Sequence, residues 1–254
     1  MSQTELIEEG KFRYIETGGD KPVLMLLHGL FGTLSNFEGI INRFGESFNV
    51  VVPMLPILEL PLVNTGLGGL LDYVTKFVKK KGYSGMHLLG NSLGGHIAQL
   101  YTMKNPKLVK SITLTGSSGL FEAAMGSGFP KRGDREYIKN KVGDVFYDPN
   151  TATPELIDEV FEITTNREKA LRVVLTSKSA VRQNLSDKLY QLTQPVLLVW
   201  GKQDEVTPPF VAEKFHELLA DSRLVWVDKC GHAPMMEHPE QFNEILEEFL
   251  KEVA

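Results

Sequence analysis

Residues 86–104 read Met86-His87-Leu88-Leu89-Gly90-Asn91-Ser92-Leu93-Gly94-Gly95-His96-Ile97-Ala98-Gln99-Leu100-Tyr101-Thr102-Met103-Lys104. The stretch opens as a short apolar run of strand type. From Leu93 it carries a helical pattern, which Pro106 stops. Between the two lies a Gly-x-Ser-x-Gly turn, Gly90 to Gly94, so that Ser92 sits where a strand becomes a helix. So sharp a turn strains the serine backbone, and the small neighbours relieve the crowding. The context predicts that Ser92 Oγ stands above a sheet at a helix N-terminus, where the dipole favours developing negative charge. An ordinary glycine-rich strand-to-helix turn is the plainer reading. The strand before and the helix after favour a nucleophile.

A serine hydroxyl attacks poorly unless a base takes its proton. His28 ends an early strand, His87 lies within the strand before Ser92, and His96 lies on the helix after it. His216 sits mid-helix and His238 precedes a helix-starting proline, so these five read as structural or exposed. His232 lies in the turn Cys230-Gly231-His232-Ala233-Pro234 after the last strand run, at a carboxyl edge where ligands bind in open α/β sheets. The orienting acid is assigned to Asp204, in the loop Gly201–Glu205 after another strand run. Asp228 is the runner-up and Glu205 a possible substitute. The backbone N–H of Leu93 and of Leu30, with Phe31 as fallback, are the candidate donors to an oxyanion. Phe31, Leu120, Phe121, Val206 and Met235 are the candidate pocket residues.

The 254 residues are 42% apolar and 23% charged, an ordinary balance for a globular chain with a sizeable core. A net charge of −5 offers no counterion-release affinity for nucleic acid, and Lys79-Lys80-Lys81 reads as a solvated helix end. The one cysteine, Cys230, forms no internal disulfide. Met1 to Gly10 carries three glutamates and no apolar core of a secretory signal, and no run suffices to span a bilayer. The expectation is a cytoplasmic protein acting on a small molecule, without nucleic-acid or membrane partners; the oligomeric state stays unassigned.

Strand runs at Val23–Leu27, Val50–Val52, Met86–Leu89, Ile112–Thr115, Val196–Trp200 and Leu224–Val227 alternate with helical patterns at Gly69–Lys80, Leu93–Lys104, Val211–Leu219 and Pro239–Glu252. Near-continuous apolar strands of this kind predict an α/β fold whose mostly parallel sheet is covered on both faces. Lys11–Glu16 alternates more and fits an antiparallel edge strand. The rhythm breaks between residues 120 and 185, where Pro154–Ile163 and Arg167–Leu175 are helical and Thr153 is a plausible N-cap. Residues 1–119 and 186–254 are therefore read as one core, and 120–185 as an inserted helical cap rather than an independent domain.

Quoted in order, HGLFG (28–32), GNSLGG (90–95), GKQDEVTPP (201–209) and CGHAPMMEHPE (230–240) together resemble the α/β-hydrolase superfamily over nearly the whole chain. The resemblance implies an eight-stranded, mostly parallel sheet flanked by helices, a cap over the site, the order Ser–Asp–His, and no metal or organic cofactor. Some members place the acid after the strand that follows the nucleophile's helix; here that position reads Thr115-Gly116-Ser117-Ser118, with no acid. Branches with an aspartate nucleophile, the haloalkane dehalogenases and epoxide hydrolases, do not fit Ser92. The stretch from Val145 to Phe161 and the DKCGH segment (228–232) look like the meta-cleavage-product hydrolases, which cut carbon–carbon bonds in ring-fission dienoates. That group carries an arginine on the cap where this chain has Val160, and a tryptophan where it has Ala233. Arg167, Arg172 and Arg182 are the candidate replacements for the arginine. The apolar run Val51–Leu58 stands where an acidic loop is usual, and is expected to line the pocket or pack into the core.

The leading expectation is a serine hydrolase of carboxylic esters or related acyl substrates that works through an acyl-enzyme. A carbon–carbon bond hydrolase on the same residues is the first alternative. A non-catalytic ligand-binding protein on the same fold is the second.

Overall fold

Leu24 and Leu26 join one buried cluster, while Val23, Met25 and Leu27 join another. Leu197 and Val199 likewise part from Val196, Leu198 and Trp200. Successive strand side chains point to opposite faces, so a strand apolar at every position must be covered on both. The computed structural model describes residues 5–32, 34–121 and 131–253.

Along the chain the elements are β1 (Ile7–Glu9), β2 (Phe12–Glu16), β3 (Val23–Leu27), α1 (Glu38–Phe44), β4 (Asn49–Pro53), α2 (Leu67–Lys81), β5 (Met86–Asn91) and α3 (Leu93–Lys104). There follow β6 (Val109–Thr115), α4 (Arg135–Gly143), α5 (Pro154–Thr165), α6 (Arg167–Arg182), β7 (Val196–Gly201), α7 (Pro209–Leu218), β8 (Ser222–Val227), α8 (Pro234–Glu237) and α9 (Pro239–Glu252). The eight strands form one sheet in the order β1-β2-β4-β3-β5-β6-β7-β8. β1 and β2 pair antiparallel, as do β2 and β4, and every other pair is parallel. This is the expected α/β sheet, with β2 antiparallel near one edge. Beyond it lies β1, an exposed Ile-Glu-Glu strand without the apolar pattern that would have announced it.

Helices α2, α3 and α7 contribute Phe77, Ile97 and Phe215 to one core; α1 and α9 contribute Phe44 and Phe242 to the other. α2 ends on Gly82 in the left-handed region, with Lys79, Lys80 and Lys81 in its last turn.

Helices α4, α5 and α6 occupy the chain between β6 and β7. Each starts on a polar cap: Asp134 accepts from Glu136 and Tyr137 N–H, Thr153 from Leu156 N–H, and Asn166 from Glu168 and Lys169 N–H. Ile138, Ile157 and Val160 turn inward into the core that also holds α1 and α9. Of the segment read as 120–185, residues 122–130 lie outside the described residues, as do Met1 to Thr4 of the N-terminal stretch. Among the described residues no helix is long and apolar enough to cross a membrane.

Candidate active site

The carboxyl ends of β3, β5, β7 and β8 lead to His28, Ser92, Asp204 and His232. Parallel strands place these ends on one edge of the sheet, so residues far apart in the chain meet there.

Ser92 has φ 53° and ψ −120°, one of two non-glycine residues with positive φ among the described residues. Such a conformation costs roughly 1–3 kcal/mol and persists only where the surroundings over-determine it. Here Ser92 N–H donates to Thr115 O at 3.1 Å, and its carbonyl accepts from Gly95 N–H at 3.0 Å and Ser118 N–H at 3.2 Å. The turn closes only because Gly94 lacks a side chain, since a Cβ there would lie 1.9 Å from Leu27 O. The N–H of Leu93 opens α3, among the donors that a helix leaves without an intrahelical partner.

Asp204 is buried and accepts on both carboxylate oxygens. Oδ1 takes the N–H groups of Val206 at 2.8 Å and Thr207 at 2.9 Å. Oδ2 takes Thr207 Oγ1–H at 2.8 Å and lies 2.9 Å from His232 Nδ1. With Nδ1–H donating to Asp204, the neutral imidazole carries its lone pair on Nε2. The His232 ring lies against Gly116, where a Cβ would come within 2.7 Å of Nδ1. By contrast Asp228 is exposed, with Gln203 Nε2 at 3.2 Å and Lys202 Nζ at 3.8 Å. Glu205, the other candidate acid, is exposed.

His28 is buried beneath the turn that carries Leu30. Its Nδ1 lies 2.9 Å from Gly29 O, and its Nε2 accepts Leu55 N–H at 2.9 Å. Burial holds its pKa below the ordinary range, so the ring is neutral. Leu55 and Ile57 pack into the core and do not line the cavity, so the apolar run after β4 is a packing element.

Ser92, Leu93 and His232 share a cavity of about 120 Å³ with Leu30, Phe31 and Val206. The strand-end loops supply those residues, and the stretch between β6 and β7 supplies Val142, Val145, Phe146, Leu156, Val160 and Ala180. The wall is predominantly apolar, with Asn36, Asn91, Lys141 and Ser177 as polar members beside Ser92 and His232. Lys141 Nζ pairs with Asp144 Oδ2 at 2.8 Å, and that hydrogen bond raises its pKa.

Three of the expected pocket residues are not among the described lining residues. Met235 is buried in the core, and its neighbour Met236 faces the cavity, because one step along a helix turns the side chain by about 100°. Leu120 packs half-buried on the opposite core, and Phe121 is exposed with its ring centroid 5.3 Å from that of Phe210. None of Arg167, Arg172 and Arg182 is among the described lining residues; Arg172 Nε donates to Leu60 O at 3.0 Å.

Two residues of the site escaped the sequence reading. Asn91, buried, donates through Nδ2 to the carbonyls of Thr115 and His232. No local pattern announces it. Thr207 shares Asp204 Oδ2 with His232, and here a signal existed: an aspartate three residues before a threonine at a helix start forms an Asx-type turn.

The crystal structure of MGS-MChE2, an alpha/beta hydrolase enzyme from the metagenome of sediments from the lagoon of Mar Chica, Morocco, has a similar fold, with a TM-score of 0.80 at 42% identity over 98% of both chains. A 2-hydroxy-6-oxononadienedioate/2-hydroxy-6-oxononatrienedioate hydrolase from Pseudomonas sp. is 25% identical over 95% of this chain and 92% of its own. Lipase 3 from Moraxella sp. (strain TA144) is 28% identical over 84% of this chain and 72% of its own. The Alpha/beta hydrolase family matches residues 24–245, and with the sheet, the strained serine turn and these relatives in view, the chain belongs to that family.

Proposed function

We propose that the protein hydrolyses carboxylic esters with a small or medium apolar acyl group, with Ser92 as nucleophile, His232 as base and Asp204 as the acid that orients the base. The observation that carries this reading is the 2.9 Å contact between His232 Nδ1 and the buried Asp204 Oδ2, beside a strained Ser92 on the same apolar cavity. Ser92 Oγ attacks the ester carbonyl while His232 Nε2 takes its proton, and the N–H groups of Leu93 and Leu30, or Phe31 in its place, receive the oxyanion. The imidazolium returns the proton to the departing alcohol. Water, deprotonated in turn by His232, then releases the acid from Ser92. The inserted segment, 120–185, serves as a cap whose side chains wall the acyl site.

Carbon–carbon bond cleavage in a ring-fission dienoate is the second reading, supported by the relative from Pseudomonas sp.. Against it stands the wall: Val160 occupies the position expected for a carboxylate-binding arginine, and Lys141, the cation among the described lining residues, is paired with Asp144. The test is a panel of p-nitrophenyl esters of increasing chain length run beside ring-fission dienoates. Ester turnover that disappears in Ser92→Ala supports the proposal. Dienoate turnover without ester turnover replaces it with the second reading, and turnover of neither leaves a binding protein.

A further inference from the structure

We propose that Glu237 is a positioning residue for His232, one carboxylate that ties the turn carrying the imidazole to the inserted segment that walls the cavity. The inference rests on the reading of His232 as base. Glu237 ends α8, five residues after His232, and is not among the described residues lining the cavity. Its Oε1 accepts Gly231 N–H at 2.8 Å, and its Oε2 accepts Tyr147 N–H at 2.7 Å. In parallel, His232 N–H donates to Val145 O at 2.9 Å. The two backbones lie flush: a Cβ on Gly231 would come within 2.6 Å of Val145 O and 2.9 Å of Tyr147 N. On its other flank the turn is held by Gln203, whose N–H donates to Cys230 O and whose Oε1 accepts Cys230 N–H, both at 3.0 Å.

The His232 turn is therefore clamped between the Asp204 loop and the stretch Val145–Tyr147, of which Val145 and Phe146 face the cavity with His232. A wall residue that shifts carries the base with it. Only a carboxylate of this length does the joining, because it offers two acceptor oxygens and no donor. Glutamine would satisfy one amide and turn its own N–H₂ on the other. Aspartate keeps the charge but is one methylene too short to span both.

The test compares Glu237→Gln and Glu237→Asp with wild type, with the exposed Glu240→Gln as control. The readouts are kcat and KM on a short p-nitrophenyl ester, the acid limb of the pH–rate profile, the labelling rate by a fluorophosphonate, and the far-downfield proton resonance of His232 Nδ1–H. Both Glu237 variants are expected to lose about 10–100-fold in kcat with KM within ~3-fold, as misplacement of a catalytic group without loss of binding produces. The acid limb should move to lower pH, because an imidazole held less well by Asp204 is a weaker base. The Nδ1–H resonance should broaden or shift, while Glu240→Gln matches wild type. Unchanged kcat and labelling, or losses with the limb and the resonance unmoved, overturn the proposal. Wild type that is not labelled at Ser92 refutes the base itself, and the resonance then still reports on the tie. Should neither variant fold, amide exchange in wild type decides: Gly231 and Tyr147 should open together at one rate, and independent rates overturn the tie.

Discussion

Asn91 Nδ2 donates to the carbonyl oxygen of His232 at 3.1 Å and to that of Thr115 at 3.1 Å. One buried amide thus joins the residue before Ser92 to the end of β6 and to the turn after β8. Asn91→Leu keeps the bulk but leaves both carbonyls without this donor. It is expected to cost about 1–3 kcal/mol of stability, the scale of an unsatisfied buried polar group, and to lower kcat together with it. Urea denaturation checks the first part, and an unshifted midpoint would show that Asn91 carries no such load.

Ser92→Ala should abolish ester turnover while the fold survives, since the hydroxyl faces the cavity and its loss opens no hole in the core. Retention of more than ~1% of wild-type activity would sink the assignment, because loss of a nucleophilic serine removes many orders of magnitude. In wild type a fluorophosphonate should modify Ser92 alone. Peptide mapping that finds the adduct on Ser117 or Ser118, both buried beside the turn, would move the nucleophile.

Asp204 and Asp228 make a matched pair for a direct comparison. Asp204→Asn is expected to lower kcat by ~10³–10⁴-fold, the scale seen when the acid of such a triad becomes neutral. Asp228→Asn should change it by less than ~10-fold, since an exposed carboxylate bonded to Gln203 has no path to the imidazole. The reverse ranking in a side-by-side assay would transfer the role to Asp228.

Acid should destabilise the protein well before its carboxylates titrate. Burial holds the pKa of His28 down, and brings those of His87 and His96 to about 4. His87 and His96 stay neutral in the fold but take up protons near pH 6.5 when unfolded, and His28, also held down by burial, acts in the same direction. The unfolded chain therefore binds more protons between about pH 6.5 and 4, so stability is complete above that window and falls as pH drops through it. His87 and His96 each contribute up to about 1.4 kcal/mol per pH unit there. Denaturation midpoints at pH 7.5, 6 and 5 test this, and a flat series would refute it.

Much of the sheet was legible because parallel strands buried on both faces leave short apolar runs, set here in regular alternation with helical patterns. Val23–Leu27 and Val196–Trp200 are of this kind, and Gly-Asn-Ser-Leu-Gly marks the turn that holds Ser92 at positive φ. β1 was not legible, since a three-residue exposed edge strand, paired on one side and tied by Glu9 to Tyr14 and Lys80, carries no such pattern. The approach of Asp204 to His232 followed from adjacent β7 and β8, a relation set by topology. The cavity wall was legible only in part. Whether Met235 or Met236 faces inward depends on the phase of a four-residue helix, which spacing does not determine. The bonds of Asn91 and Glu237 join segments distant in sequence, so no local pattern encodes them.

The long stretch between β6 and β7, which holds α4, α5 and α6, also has a consequence for the nascent chain. β6 leaves the ribosome with β5 already available on one side, but its other neighbour, Val196 onward, follows about 80 residues later. At ~5–20 residues per second that interval lasts roughly 4–16 s. Throughout it β6 presents a row of unpaired amides and carbonyls, an edge to which a second copy can add a strand. The stretch between β6 and β7, which helps wall the cavity of the finished protein, thus also sets how long the growing chain keeps that edge open.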